Sequence, residues 1–330
     1  MRITLLFPII LQLFSCINVR SQDIHWSQIN QLQSFQNPST IGKYDEDIKF
    51  TFALKDQWRS VTKPFQTYFA SFDTKIRKIE WLSIGCNIFT DVTGDGNFRT
   101  NQFNFISKID KKINSKLIIA TGLDIGLLNK NIDFTNFKFG NQYDGLKYNS
   151  ALSTNETYSN TTFSHPTIGI GFSANYKLEK NQDLNFGFSI YNINKPKESF
   201  YQVEIIRPIR NVLNLSYNYQ YKNHLINPTI NFEKQNVYRN IMIGVLDNIK
   251  TNNLKLHHIH AGLAYRHLDA LILHLGISYR KTKIILSYDI NLSKLKVASN
   301  GRGSFELNIQ YLLKKNPLTF PIKQICIDYY

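Results

Sequence analysis

The sequence predicts an all-β protein: a transmembrane antiparallel up-and-down β-barrel of about fourteen strands behind a cleaved amino-terminal signal peptide. Three observations predict it. From residue 48 onward, apolar and polar residues alternate with a period of two in stretch after stretch, and no helical period is sustained. The links between these stretches alternate between short and long. The chain opens on an export signal. Composition points the same way, since 18 Tyr and 23 Phe far outnumber 3 Trp and 2 Met, and strand formers dominate.

Arg2 supplies a short positive start, Ile3 to Phe14 is almost wholly apolar, and Val19-Arg20-Ser21 has the small-residue spacing of a cut after Ser21. Residues 1–21 are therefore expected to be removed. The apolar run is about a dozen residues, shorter than the roughly 20 that a membrane-spanning helix needs. Leu13-Phe14-Ser15-Cys16 loosely resembles a lipobox, but Phe14 fits that pattern badly, and Cys16 then leaves with the signal. Cys86 and Cys326 remain, far apart, with a spacing that supports neither a metal site nor a disulfide. The net charge of +15 falls to +13 with Arg2 and Arg20, because residues 1–21 hold no Asp or Glu. A basic surface suits anionic lipid or an acidic partner, and export argues against nucleic acid.

Residues 22–47 are polar, lack alternation and contain Asn37-Pro38, which reads as a periplasmic lead-in or a plug touching the lumen. The barrel is expected over residues 48–314. Its strands fall near 48–58, 64–75, 81–91, 98–109, 116–128, 163–178 and 184–194, then 208–221, 224–235, 238–249, 254–267, 270–280, 282–292 and 303–314. The last shows the pattern most clearly. Phe305, Leu307, Ile309, Tyr311 and Leu313 face one way, and Glu306, Asn308 and Gln310 face the other. Residues 315–330 form a periplasmic tail, with Pro317 and Pro321 preventing continuation of the strand.

With the amino end in the periplasm, every second link is short: 77–80, 111–115, 179–183, 222–223, 250–253 and Lys281. Each contains Lys or Arg, which would set a basic ring on the periplasmic side. The other set, including 59–63, 92–97, 129–162, 195–207 and 293–302, is longer on average and reads as extracellular loops. Backbone groups in lipid have no water to bond, so such strands must close without an edge. Trp58, Trp81, Tyr176, Tyr191, Tyr217, Tyr279 and Tyr288 lie near strand ends, where interfacial girdles are expected.

Gln22-Asp23-Ile24-His25-Trp26-Ser27-Gln28, then Asn37-Pro38-Ser39 and Gly42, Asp56-Gln57-Trp58, Pro64-Phe65-Gln66-Thr67 and Ser71-Phe72-Asp73 follow one another in order. Together they resemble the opening of the PorP/SprF family of type IX secretion system membrane proteins, and the resemblance runs through the mature chain. Two departures are Lys55-Asp56, where the family usually has Arg followed by Asn, and the long link 129–162. The resemblance implies an outer-membrane barrel of a Bacteroidetes-type bacterium. It also implies partners: periplasmic ring and lipoprotein components of the secretion machine, and a secreted surface protein such as a gliding adhesin. On that reading Trp26, Gln28, Asn37 and Pro38 of the lead-in, with Cys326 of the tail, are the candidate partner-binding residues.

No GxSxG, Walker A, HExxH or dinucleotide fingerprint occurs, so neither catalysis nor a cofactor is expected. His258 and His260 would share a strand face beside His257, but no Asp, Glu or Cys completes a metal set. Asp91-Val92-Thr93-Gly94-Asp95-Gly96-Asn97 echoes a calcium loop, yet Gln102 stands where the bidentate Glu belongs, so a plain turn is expected. Asn155 and Asn160 match a glycosylation sequon, with no modification assigned. Two rival functions follow from the same pattern: a passive porin or small-solute transporter, and a soluble all-β adhesin.

Overall fold

The computed structural model describes residues 24–59, 63–94, 96–134, 137–145, 147–155, 161–200, 205–293 and 296–314. The expected signal peptide and the 315–330 tail with Cys326 lie outside them. Fourteen strands close into one antiparallel barrel. They are β1 (Ile48–Gln57), β2 (Phe65–Lys75), β3 (Leu82–Thr93), β4 (Phe98–Lys112), β5 (Leu117–Asn131), β6 (Thr162–Glu179), β7 (Gln182–Tyr191), β10 (Arg210–Tyr221), β11 (His224–Gln235), β12 (Tyr238–Lys250), β13 (Leu256–Arg266), β14 (Ala270–Tyr279), β15 (Thr282–Asn291) and β16 (Arg302–Leu313). A two-stranded hairpin, β8 (Lys197–Glu198) with β9 (Ile205–Ile206), stands outside the wall. β1 closes the ring on β16, from Ile48 opposite Leu313 to Asp56 opposite Phe305.

The expected strand count is met, and most boundaries differ by three residues or fewer. The run expected to reach residue 194 stops at Tyr191, because Asn192 turns with φ of 59°. Trp58 ends β1 in the same way, with φ of 58°. Along most strands the alternation is inverted relative to a soluble protein, although Met242, Ala264, Ala270 and Ile272 of β12 to β14 form an apolar patch inside with Ile29. On β5, Ile125 and Leu127 point outward and are 50% and 57% exposed, while Asp124, between outward neighbours, is 2% exposed and points in. Leaving such side chains in water would cost about 1.5–3 kcal/mol each, so the outer belt is built for lipid.

Links at one end, such as 180–181, 222–223 and 280–281, are tight turns. The opposite end carries the long links 132–161 and 192–209. It also carries two tight ones, at Asn236 and Leu268, each with positive φ. By the usual disposition of such barrels, the tight-turn end faces the periplasm and the long-loop end the exterior. Tyr176, Tyr279 and Tyr288 are exposed on the outer face, and Tyr217, Tyr219 and Tyr221 stack along the outside of β10, while Trp81, also exposed, sits in the turn before β3 on that strand's inward parity. Tyr191 corrects the girdle expectation. It falls on the inward parity of β7 and is 9% exposed, inside the barrel. Trp58 likewise lines the lumen, packed against Phe65 at 4.7 Å.

Candidate functional site

The lumen is occupied by the chain's own amino-terminal segment. Ile24 to Gln28 lie at the long-loop end, and the segment descends through the barrel to Gly42–Tyr44 at the tight-turn end, where it enters β1. Trp26, 1% exposed, packs edge-on against Phe35 and Phe69, and Phe35 also meets Phe89 at 5.8 Å. The helical turn Gln33–Gln36 is followed by a 3-10 turn, Pro38–Thr40. Asn37 caps that second turn by accepting the Ser39 N–H at 2.9 Å. Pro38 occupies its first position, where a missing N–H costs nothing. The wall makes room for these turns. A Cβ on Gly122 would collide with the Pro38–Ser39 backbone, and one on Gly171 with the Asn37 amide.

Charged side chains on the inward parity of the strands fasten the segment. Glu306 accepts the backbone N–H groups of Ser27 and Gln28 at 2.7 and 2.8 Å, one on each carboxylate oxygen. Lys55 lies 3.2 Å from Glu306 and donates to the His25 carbonyl at 2.7 Å. Asp289 accepts from Ser27 Oγ at 2.8 Å and pairs with Arg266 at 2.6 Å, while Arg266 also pairs with Asp269. Further along the segment, Arg210 donates to the Phe35 carbonyl and Ser189 to that of Gln36. At the tight-turn end Asp73 accepts from Gly42 N at 2.8 Å. Burial, with the charges of Lys55 and Arg266 beside it, holds His25 well below the ordinary imidazole range, so it is neutral.

Two cavities flank the segment. The larger, about 550 Å3, sits at the long-loop end and includes Trp58, Phe65, Phe89, Asp91, Asp124 and Arg210 in its wall. The other, about 440 Å3, lies at the tight-turn end among Lys43, Tyr44, Lys75, Lys108 and Asp110. Phe35 belongs to the first and Ser39 to the second, so the two short turns stand between them. Above the larger cavity, Glu198 of the β8–β9 hairpin pins the 192–209 link to the rim. It meets Lys130 at 2.7 Å, His165 at 2.9 Å and Arg207 at 3.1 Å. Burial opposes its charge, but the His165 bond and the Lys130 and Arg207 charges prevail and hold its carboxyl down at about 2.

Four of the five candidate partner residues are engaged inside the barrel. Trp26 is in the aromatic cluster. Gln28 donates to Ile285 and Glu306 carbonyls and to Ser287, Asn37 donates to the Phe172 carbonyl at 2.9 Å, and Pro38 lies against Gly122 and Gly171. As placed, none offers a surface to a second protein. Cys326 lies outside the described residues. His258 and His260 do share a face, with rings 6.1 Å apart, and His260 bonds to Asn248 and Ser278 at 2.7 Å each. No group of three or more potential metal ligands occurs among the described residues. Asp91, Val92 and Thr93 end β3, residues 94–97 form the β3–β4 link with positive φ at Gly94 and Asn97, and Asp95 lies outside the described residues. Sequence reasoning missed Lys55, Asp124, Arg210, Arg266, Asp289 and Glu306 as site residues. Their signal was available: each is a charge on the inward parity of a strand whose other face is apolar.

The model of the PorP/SprF family, described as type IX secretion system membrane protein, matches residues 18–311. No curated protein matches. Among solved structures, the Ralstonia pickettii toluene transporter TbuX is similar with a TM-score of 0.52 at 11% identity, over 87% of this chain and 94% of that one. A deltaS2 mutant of the TodX monoaromatic hydrocarbon channel gives 0.50 at 12% identity, over 87% and 94%. These two likenesses show a shared barrel fold and nothing finer.

Proposed function

The chain belongs to the PorP/SprF family of type IX secretion system membrane proteins, and from that premise we propose that it is a non-catalytic outer-membrane component of this pathway. It binds periplasmic ring and lipoprotein components at its tight-turn face and supports export and surface attachment of a secreted protein, such as an adhesin, at its long-loop face. The observation that carries this reading is the fastened lumen. Glu306, Lys55, Asp289 and Arg266 hold the inner segment by buried, charge-assisted bonds, an arrangement suited to a closed anchor. Contact with a partner through Trp26, Gln28, Asn37 or Pro38 would follow release of the segment, and contact through Cys326 would involve the tail. The host is a Bacteroidetes-type bacterium, gliding motility is one setting for the role, and the mature chain begins at Gln22.

The test is deletion of the gene in its host, with comparison of surface and culture-fluid proteomes against the parent strain. Loss of one or a few surface proteins is expected and would name the client. Loss of the whole exported set would make the barrel a core machine component. An unchanged proteome would overturn the reading. The rival is a passive solute channel, favoured by the two cavities lying at opposite ends of one lumen. Single-channel recording of the purified barrel separates the two, with near-silence expected for the anchor.

A further inference from the structure

The larger cavity contains charged groups that the secretion role does not use. Its bases are engaged. Lys130 and Arg207 pair with Glu198, and Arg210 lies 3.5 Å from Glu233 and donates to the Phe35 carbonyl at 3.2 Å. Its carboxylates are not matched in this way. Asp91 accepts a single hydrogen bond, from Thr67 Oγ1 at 2.6 Å. Asp124, 2% exposed and part of the cavity wall, has no hydrogen bond or ion pair among the described residues. Arg210 reaches it only through space, and that guanidinium is already committed. Elsewhere in the same wall, the Asn87 amide nitrogen is buried and also without a partner.

A carboxylate removed from water without a counter-charge is costly, and a cation within reach recovers that cost. The rest of the wall suits a cation with an organic body. Trp58, Phe65, Phe89, Phe98 and Tyr191 face the cavity. The wall already holds one such group, since the Arg210 guanidinium lies 4.9 Å from the Phe35 ring centre and 4.5 Å from that of Tyr191. An anion would meet two carboxylates, and a neutral ligand would leave Asp124 uncompensated.

We propose that this vestibule binds an organic cation, a primary ammonium or guanidinium group carried on a slender chain, with Asp124 as its counter-charge and the aromatic wall as its cover. Asp91 adds a second, weaker attraction from the side. A free amine and a Lys or Arg side chain of a polypeptide share this chemistry, and the site stands whether or not a secreted protein is retained at the surface.

The experiment is isothermal titration of the full mature barrel in detergent with three probes: cadaverine, a capped Gly-Gly-Lys-Gly-Gly peptide, and the same peptide carrying Nε-acetyl-lysine. Cadaverine binding alone identifies a free amine as the ligand class, and tighter binding of the lysine peptide identifies a polypeptide. Where the lysine peptide binds, its acetylated form should bind at least about 30-fold more weakly, as expected for loss of a buried charge partner. Asp124→Asn should weaken the cation to a similar degree, and Asp91→Asn by less, with the folded barrel verified by its heat-modifiable gel mobility. Added salt should weaken binding of the cation. Equal affinity for the acetylated and free lysine peptides where these bind, silence with both cations, or unchanged cation affinity in a folded Asp124→Asn barrel would overturn the proposal. The acetyl-lysine comparison needs no variant, so misfolding cannot obscure it.

Discussion

The wall of the barrel and the segment inside it are held by different physics. The wall is a continuous backbone ladder whose outer side chains need only be apolar, so each position is judged by parity and medium alone. The inner segment has a single helical turn, Gln33–Gln36, and a 3-10 turn of its own. It is held by side chains from far along the chain: Ser27 and Gln28 meet Glu306 across more than 270 residues. A repeated local rule builds the container, and a few specific long-range bonds fill it. Damage to the second should therefore spare the first.

The largest effect that would separate the two is expected at Glu306. Glu306→Ala leaves two backbone N–H groups without their acceptor and the Lys55 ammonium without its counter-charge in a buried site, at a cost of about 3–5 kcal/mol. The loss should fall on docking of residues 24–31. Hydrogen exchange there should rise by orders of magnitude while the β1–β16 closure stays protected, and single-channel conductance should increase. Concerted loss of both regions would mean that segment and wall form one cooperative unit. The reciprocal change is Ile125→Arg on the outer belt, where a charge near the membrane midplane costs about 2–4 kcal/mol. It should lower barrel stability in urea titrations from vesicles and leave the exchange pattern of residues 24–31 unchanged in the population that folds.

How much of this was legible in the sequence follows from the same contrast. The period-two pattern placed the strands because each inward or outward choice is repeated many times within a strand, as in Phe305 to Leu313. It misjudged Tyr191, since nearness to a strand end does not fix which way a ring points, whereas parity does. The path of residues 24–47 was not readable, because those residues carry no repeat and their partners sit on nearly every strand. Asn37 and Pro38 stood out as a motif, but their reason, the space left above Gly122 and Gly171, appears only once β5 and β6 are adjacent. Asp124 was hidden for a related reason: a lone inward charge looks the same in sequence whether or not a base stands opposite.

The smallest effect is expected at the rim, between wall and segment in character. Glu198 joins the 192–209 link to β5 and β6 through Lys130 and His165, and Arg207 closes the cluster from within the link. Its carboxyl is held at about 2, against an ordinary 4.5. A depressed carboxyl contributes stability that is present above its unfolded value and is lost as pH falls through the folded one, so the window runs from about 4.5 down to 2. A shift of that size corresponds to about 3 kcal/mol, reduced to about 1–2 kcal/mol for a site that keeps some contact with water. Protease cutting within 192–209 should therefore stay constant from pH 7 to 5 and rise several-fold by pH 2.5, read with an acid-active protease, while the fourteen strands remain intact. Glu198→Gln should show the raised rate already at pH 7 and no further rise across that window. If the wild-type rate is flat to pH 2.5, the link is held by the β8–β9 ladder and its apolar contacts, and the rim belongs with the wall.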